Sequence, residues 1–238
     1  MNGENVPEMS LWQRLMGIIT KPQDTLAEVI RKPTVLWPAV VISVVNLVFF
    51  LITMPKLQKY TLMALENLPQ KIPPEQLART KSIALIGVAV GGSLSVIIMP
   101  LVICLIITLL IKLFNLIIGS EPSFKQLYAV SLITSLPTVL GSILRTLLLA
   151  ISPVESFATV TTSAALALPK GSTGPLFVVL SQVDPFLIWS LFLLSMGAAM
   201  VLKTSTKKTG FFFFIIWSLW TAVLVTMSVL FPQQPPAV

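Results

Sequence analysis

Five stretches without a single charged residue, Val35–Met54, Ser82–Ile111, Gln126–Leu144, Pro185–Leu202 and Thr209–Phe231, set the terms for anything this chain can become. A helix rises ~1.5 Å per residue, so each stretch is long enough to cross a hydrocarbon core about 30 Å thick. A soluble helical bundle would need polar outer faces on these helices, and none of the five supplies one. Charged residues make up 11% of the chain and hydrophobic ones 55%, whereas soluble domains carry about 25% charged residues. The expected fold class is therefore all-α. It is a polytopic membrane protein with five transmembrane helices and amphipathic N-terminal interfacial helices. The spans are placed at about 35–54, 83–111, 127–150, 185–202 and 210–231.

On this reading residues 1–34 form a cytoplasmic N-terminal segment, 35–231 the transmembrane domain, and 232–238 a short tail. The polar N-terminal segment lacks the short apolar core and cleavage site of a signal peptide, so the first span reads as an uncleaved anchor. Leu11, Trp12, Leu15, Met16, Ile18 and Ile19 give one apolar face, with Gln13 and Arg14 on the wet side. An interfacial helix fits that pattern. Thr20-Lys21-Pro22-Gln23 has capping-box spacing with proline in the first turn and predicts a second short helix. After the first span, Leu57–Leu68 predicts a separate amphipathic helix, and Pro73-Pro74-Glu75-Gln76 predicts the start of the long second helix. Pro100 predicts a kink in it.

Chemistry is scarce. The chain has no histidine and one cysteine, Cys104, in the middle of the second span. Zinc sites, serine–histidine catalysis and histidine proton relays are excluded, and Cys104 reads as a small packing residue. No carboxylate pair sits inside a span, and no phosphate-binding glycine loop is present. No catalytic residue, cofactor or metal is therefore expected, nor a soluble small-molecule substrate. The net charge of +7 lies almost wholly outside the spans. It fits contact with membrane lipids rather than nucleic acid, which would need a soluble basic face.

Orientation follows from counting lysine and arginine. An inward N-terminus puts Arg14, Lys21, Arg31, Lys32, Lys112, Lys125, Lys203, Lys207 and Lys208 inside. Lys56, Lys59, Lys71, Arg79, Lys81 and Lys170 then lie outside. Nine against six favours a cytoplasmic N-terminus and an extracytoplasmic C-terminus.

Two features are candidates for function. Arg145 shares a small, polar stripe of the third span with Ser131, Thr134, Ser135, Thr138, Gly141 and Ser142. Such a stripe packs against other helices or lines a polar cavity. An ion pair between Arg145 and Asp184 is expected, with Glu155 as rival partner and snorkelling to the headgroups as the alternative. The second feature is the ladder Gly87, Gly91 and Ser95, with Gly92 beside it, which permits close helix approach within the chain or to a partner.

Several segments together resemble the bacterial branch of the Yip (Ypt-interacting protein) domain family. They are Leu11-Trp12-Gln13-Arg14 through Ile19-Thr20-Lys21-Pro22, Arg31-Lys32-Pro33, Gly119–Gln126 with Ser135-Leu136-Pro137, and Val183–Trp189 through Gly197 to Lys207-Lys208-Thr209-Gly210. The resemblance implies a five-helix membrane domain with cytoplasmic N-terminus. It implies no catalytic residues, and it implies for some bacterial members an accessory role beside ABC-type exporters. Two functions follow as expectations. One is a non-enzymatic scaffold or accessory subunit of a bacterial plasma membrane, binding another integral membrane protein or itself. The other is a small transporter or channel with a polar path along the third helix near Arg145.

Overall fold

Continuous hydrophobicity with no β-branched alternation gives helices throughout. The computed structural model describes residues 9–67, 73–169 and 172–231. It is 83% helical, with no strand among the described residues and five helices long and apolar enough to cross a membrane. The tail 232–238, Leu68, and Lys71 and Lys170 of the charge count lie outside the described residues.

Two short helices come first, α1 (Leu11–Thr20) and α2 (Pro22–Arg31). The capping box belongs to α1. Ser10 accepts from the Gln13 N–H at 3.2 Å, and the Gln13 side chain accepts from the Ser10 N–H at 2.7 Å. The box expected at Thr20 is not formed. That hydroxyl donates back to the Met16 carbonyl at 3.1 Å, and Lys21 stands at the N-cap of α2 without a side-chain bond.

The first membrane helix, α3, runs Leu36–Glu66 without interruption. The stretch expected as a separate amphipathic helix is no separate element, and its residues 57–66 continue α3 past Pro55. Proline removes one donor from an interior turn, but the ladder resumes on both sides of it. Next come α4 (Pro74–Ile86), a π-turn at Gly87–Gly91, and α5 (Gly92–Ile118), which form one long rod. The 44 residues Glu75–Ile118 correspond to about 66 Å of helix, twice a hydrocarbon core. Pro100 lies inside α5, and an irregular turn lies at the glycines before it.

The third span is two helices, α6 (Phe124–Thr134) and α7 (Leu136–Ile151), separated at Ser135. Pro137 explains the interruption, because it has no N–H to donate and its ring excludes the carbonyl one turn earlier. Ser135 answers by donating its hydroxyl to the Leu132 carbonyl at 2.8 Å. A seven-residue helix, α8 (Pro175–Ser181), precedes α9 (Pro185–Leu202) and α10 (Thr206–Leu230).

The contacts divide the chain into two units. The first contains the described residues up to Val41, Leu101–Pro137 and Trp189–Ile215. Its core is Ile18, Leu26, Leu127, Leu132, Leu193 and Leu202. Here α2 lies against α6, and Gly197 of α9 makes room for it. A Cβ on Gly197 would come within 2.5 Å of Val130 Cγ1 and 3.2 Å of Leu26 Cδ2. So one face of α2, with Leu26 and Val29, is buried in this unit. Thr209 of α10 donates to the Ser195 carbonyl of α9 at 2.7 Å.

The second unit contains the described residues of Ile42–Pro100, of Thr138–Ile188 and from Ile216 on. Phe50 of α3 packs over Gly92, and Phe186 of α9 packs over Gly141, whose added Cβ would lie 2.9 Å from the ring. Tyr60 and Phe157 stack with centroids 5.6 Å apart. Lys56 of α3 donates its ammonium to the carbonyls of Leu149, Ala150 and Ser152. A cation there neutralises the negative end of α7.

Candidate functional site

The first unit holds a buried charge cluster that the sequence reading missed. On α1, Arg14, Gly17 and Ile18 share the inward face, while Trp12, Met16 and Ile19 are exposed. Arg14 is therefore inside rather than on the wet side. The apolar residues face outward because the surroundings of this helix are themselves apolar or interfacial. Gly17 permits the close approach of α2, since a Cβ there would meet Thr25 Oγ1.

Arg14 Nη2 donates to Glu28 Oε1 at 3.2 Å, with both side chains 7% exposed. Its Nη1 donates to the Lys32 carbonyl at 3.0 Å and to Thr34 Oγ1 at 3.1 Å. The other carboxylate oxygen of Glu28 accepts from Arg31 Nε at 2.9 Å and Nη2 at 2.5 Å. Gln126 of α6 closes the arrangement by donating to the Ile30 carbonyl at 3.0 Å. Two guanidinium groups and one carboxylate thus tie α1, α2 and the Pro33–Val35 connector together. The sequence signal was available. Glu28 and Arg31 have the i, i+3 spacing of a helical ion pair, and Arg14 shares a face with Gly17.

The polar stripe of the third span begins on buried residues. Ser131 and Thr134 are each 2% exposed. Ser131 donates to the Leu127 carbonyl at 3.0 Å and accepts from Thr108 at 3.1 Å. Thr134 donates to the Val130 carbonyl at 2.8 Å. Cys104 lies beside them, 2% exposed, with its thiol 3.6 Å from the Ser131 carbonyl. Thr138 is half-buried in the second unit, and Gly141 is covered by Phe186.

The structure does not bring Arg145 and Asp184 together. Arg145 donates from Nε to the Val160 carbonyl at 3.0 Å and from Nη2 to the Phe157 carbonyl at 3.4 Å, and its guanidinium lies 5.9 Å from the Phe157 ring centre. Asp184 caps α9, accepting from the Phe186 N–H at 2.8 Å and the Leu187 N–H at 3.2 Å, and takes the Thr162 hydroxyl on its other oxygen. Helix-capping carboxylates are satisfied by backbone donors, and the 157–160 turn offers Arg145 carbonyls at shorter range than any acid. Glu155 is exposed and pairs with no basic residue among those described.

Gly87, Gly91 and Ser95 are exposed, and an added Cβ on either glycine meets nothing within 4 Å. Only Gly92, beside them, makes a close contact within the chain. Among the described residues no three His, Cys, Asp or Glu side chains gather closely enough to hold a metal ion.

A family model, the Yip1 domain, matches residues 16–230. No curated protein and no solved structure matches the chain. With five membrane-crossing helices and a match over nearly its whole length, the chain is a member of the Yip1 domain family of membrane proteins.

Proposed function

We propose that this protein is a non-enzymatic scaffold or accessory subunit of a bacterial plasma membrane, binding another integral membrane protein, with an ABC-type exporter as the candidate. The observation that carries the reading is the outward face of the long second membrane helix. Ile83, Ile86, Gly87, Val90, Gly91 and Leu94 recur at helical spacing along it, all exposed. Glycines without a Cβ let a second backbone approach closely, as in small-xxx-small helix pairs. The π-turn at the same place supports it, since such turns concentrate at functional positions.

The orientation proposed from the lysine and arginine count, N-terminus cytoplasmic and C-terminus extracytoplasmic, agrees with an odd number of spans. Purification from native membranes in mild detergent tests the proposal. Gly91→Leu should abolish co-purification of the partner while leaving the thermal stability of the isolated chain unchanged. Reproducible absence of any partner or oligomer with the unaltered chain would overturn it.

A further inference from the structure

We infer that the first unit carries a seat for one anionic phospholipid at the point where the N-terminal helices meet the membrane. A groove of about 570 Å³ opens there. Most of its lining is apolar: Leu36, Trp37 and Val40 from the first two turns of α3 stand 78%, 39% and 43% exposed, and Leu11 of α1 joins them at 40%. Thr34 and Lys125 bring polar groups to the same lining.

Lys125 is exposed and forms no hydrogen bond or ion pair with any described residue. It stands in the first turn of α6, where its charge adds to the positive end of the helix instead of offsetting the negative one. Its own fold therefore gains nothing from that charge. Thr34 is complementary. Its hydroxyl oxygen accepts from buried Arg14 at 3.1 Å and donates to none of the described residues, so its proton remains available for an acceptor in the groove. The first-turn N–H groups of α3 at Leu36 and Trp37 have no preceding turn to donate to.

An ammonium and a hydroxyl beside the first-turn amides of α3, set among exposed apolar side chains, match a phosphodiester with acyl chains. A soluble anion leaves the apolar lining unexplained, and an apolar peptide leaves the donors unused. Trp37 stands in the first turn of a helix long and apolar enough to cross a membrane, and tryptophan favours the membrane–water boundary. On this proposal the lipid lies in the leaflet nearest α1, whose Trp12 and Met16 are exposed.

The test is native mass spectrometry of the full chain in detergent, titrated with phosphatidylglycerol or with phosphatidylcholine of the same acyl chains. The unaltered chain should bind one phosphatidylglycerol in preference to phosphatidylcholine. Lys125→Gln should lower that preference about five-fold, Lys125→Arg should restore it, and Lys208→Gln should leave it unchanged. Thr34→Val should weaken phosphatidylglycerol binding, while Thr34→Ser retains it. An unchanged preference in Lys125→Gln overturns the site. So does competition by inorganic phosphate at equal concentration, which would mark a soluble-anion site. Disulfide-linked dimers of Trp37→Cys that exclude phosphatidylglycerol would likewise overturn it, because a second copy would then fill the groove.

Discussion

Arg14 of α1 and Glu28 of α2 meet at 3.2 Å as a buried ion pair, each side chain 7% exposed. Glu28 is shared, since Arg31 holds its second oxygen, whereas Arg14 has no second carboxylate. That asymmetry makes the two ends of the pair unequal. Glu28→Leu leaves a guanidinium buried without its counter-charge and should cost about 3–5 kcal/mol. Arg14→Met should cost less, because Arg31 still neutralises the acid. The double variant should cost less than the sum of the two. Unfolding equilibria in mixed micelles measure all three, and equal costs for the two single variants would contradict the asymmetry.

Gly197 and Gly91 should respond oppositely to the same change. Gly197→Ala drives a methyl toward Val130 Cγ1, 2.5 Å away, and overpacking of this kind costs about 1–3 kcal/mol. Gly91→Ala meets open space and should leave the isolated chain at or slightly above its original stability, since alanine is the better helix former. Thermal denaturation of both variants in one detergent decides the point.

Asp184 acts as a cap, and asparagine caps as well as aspartate. Asp184→Asn should therefore change stability by less than about 0.5 kcal/mol, while Asp184→Ala should lose about 1 kcal/mol. Equal losses would show that the charge, and so an ion pair, matters there after all.

Lys203 ends α9 with φ of 52°, in the left-handed region, and the Thr204 N–H reaches back to the Ala199 carbonyl at 3.0 Å. This is the position where glycine is usual after a helix. Lys203→Gly should relieve about 1 kcal/mol of backbone strain and raise the unfolding midpoint. A fall in the midpoint would mean that the lysine side chain contributes more than its backbone costs.

Length and hydrophobicity made the membrane helices legible, because a run such as Thr209–Phe231 has no other stable home. The placement of individual polar residues was not legible. A helical wheel assumes water outside, so it sent Arg14 outward with Gln13. Against a membrane the outer side is apolar, and the arginine turned in toward an acid 14 residues away. Asp184 misled in another way. An acid at a helix start looks identical in sequence whether it waits for an arginine or caps its own backbone, and only the positions of Thr162 and the Phe186 N–H distinguish the two. Pro55 and Pro137 show the same limit. Both remove one donor, but only Pro137 parts its helix, and the neighbouring sequence carries no mark that separates them.

The π-turn at Gly87–Gly91 has a consequence for how the long rod can evolve. A wide turn takes up one extra residue, and one residue corresponds to about 100° of rotation around the axis. The turn therefore acts as a phase shifter. It lets α4 present one side to its surroundings while Gly92, at the start of α5, keeps another against Phe50. Deleting a single residue within 87–91 would close the wide turn into an ordinary one without breaking the helix. Every side chain from Glu75 to Ile86 would swing to a new bearing, and the chain would keep its core while facing its neighbours with a different surface.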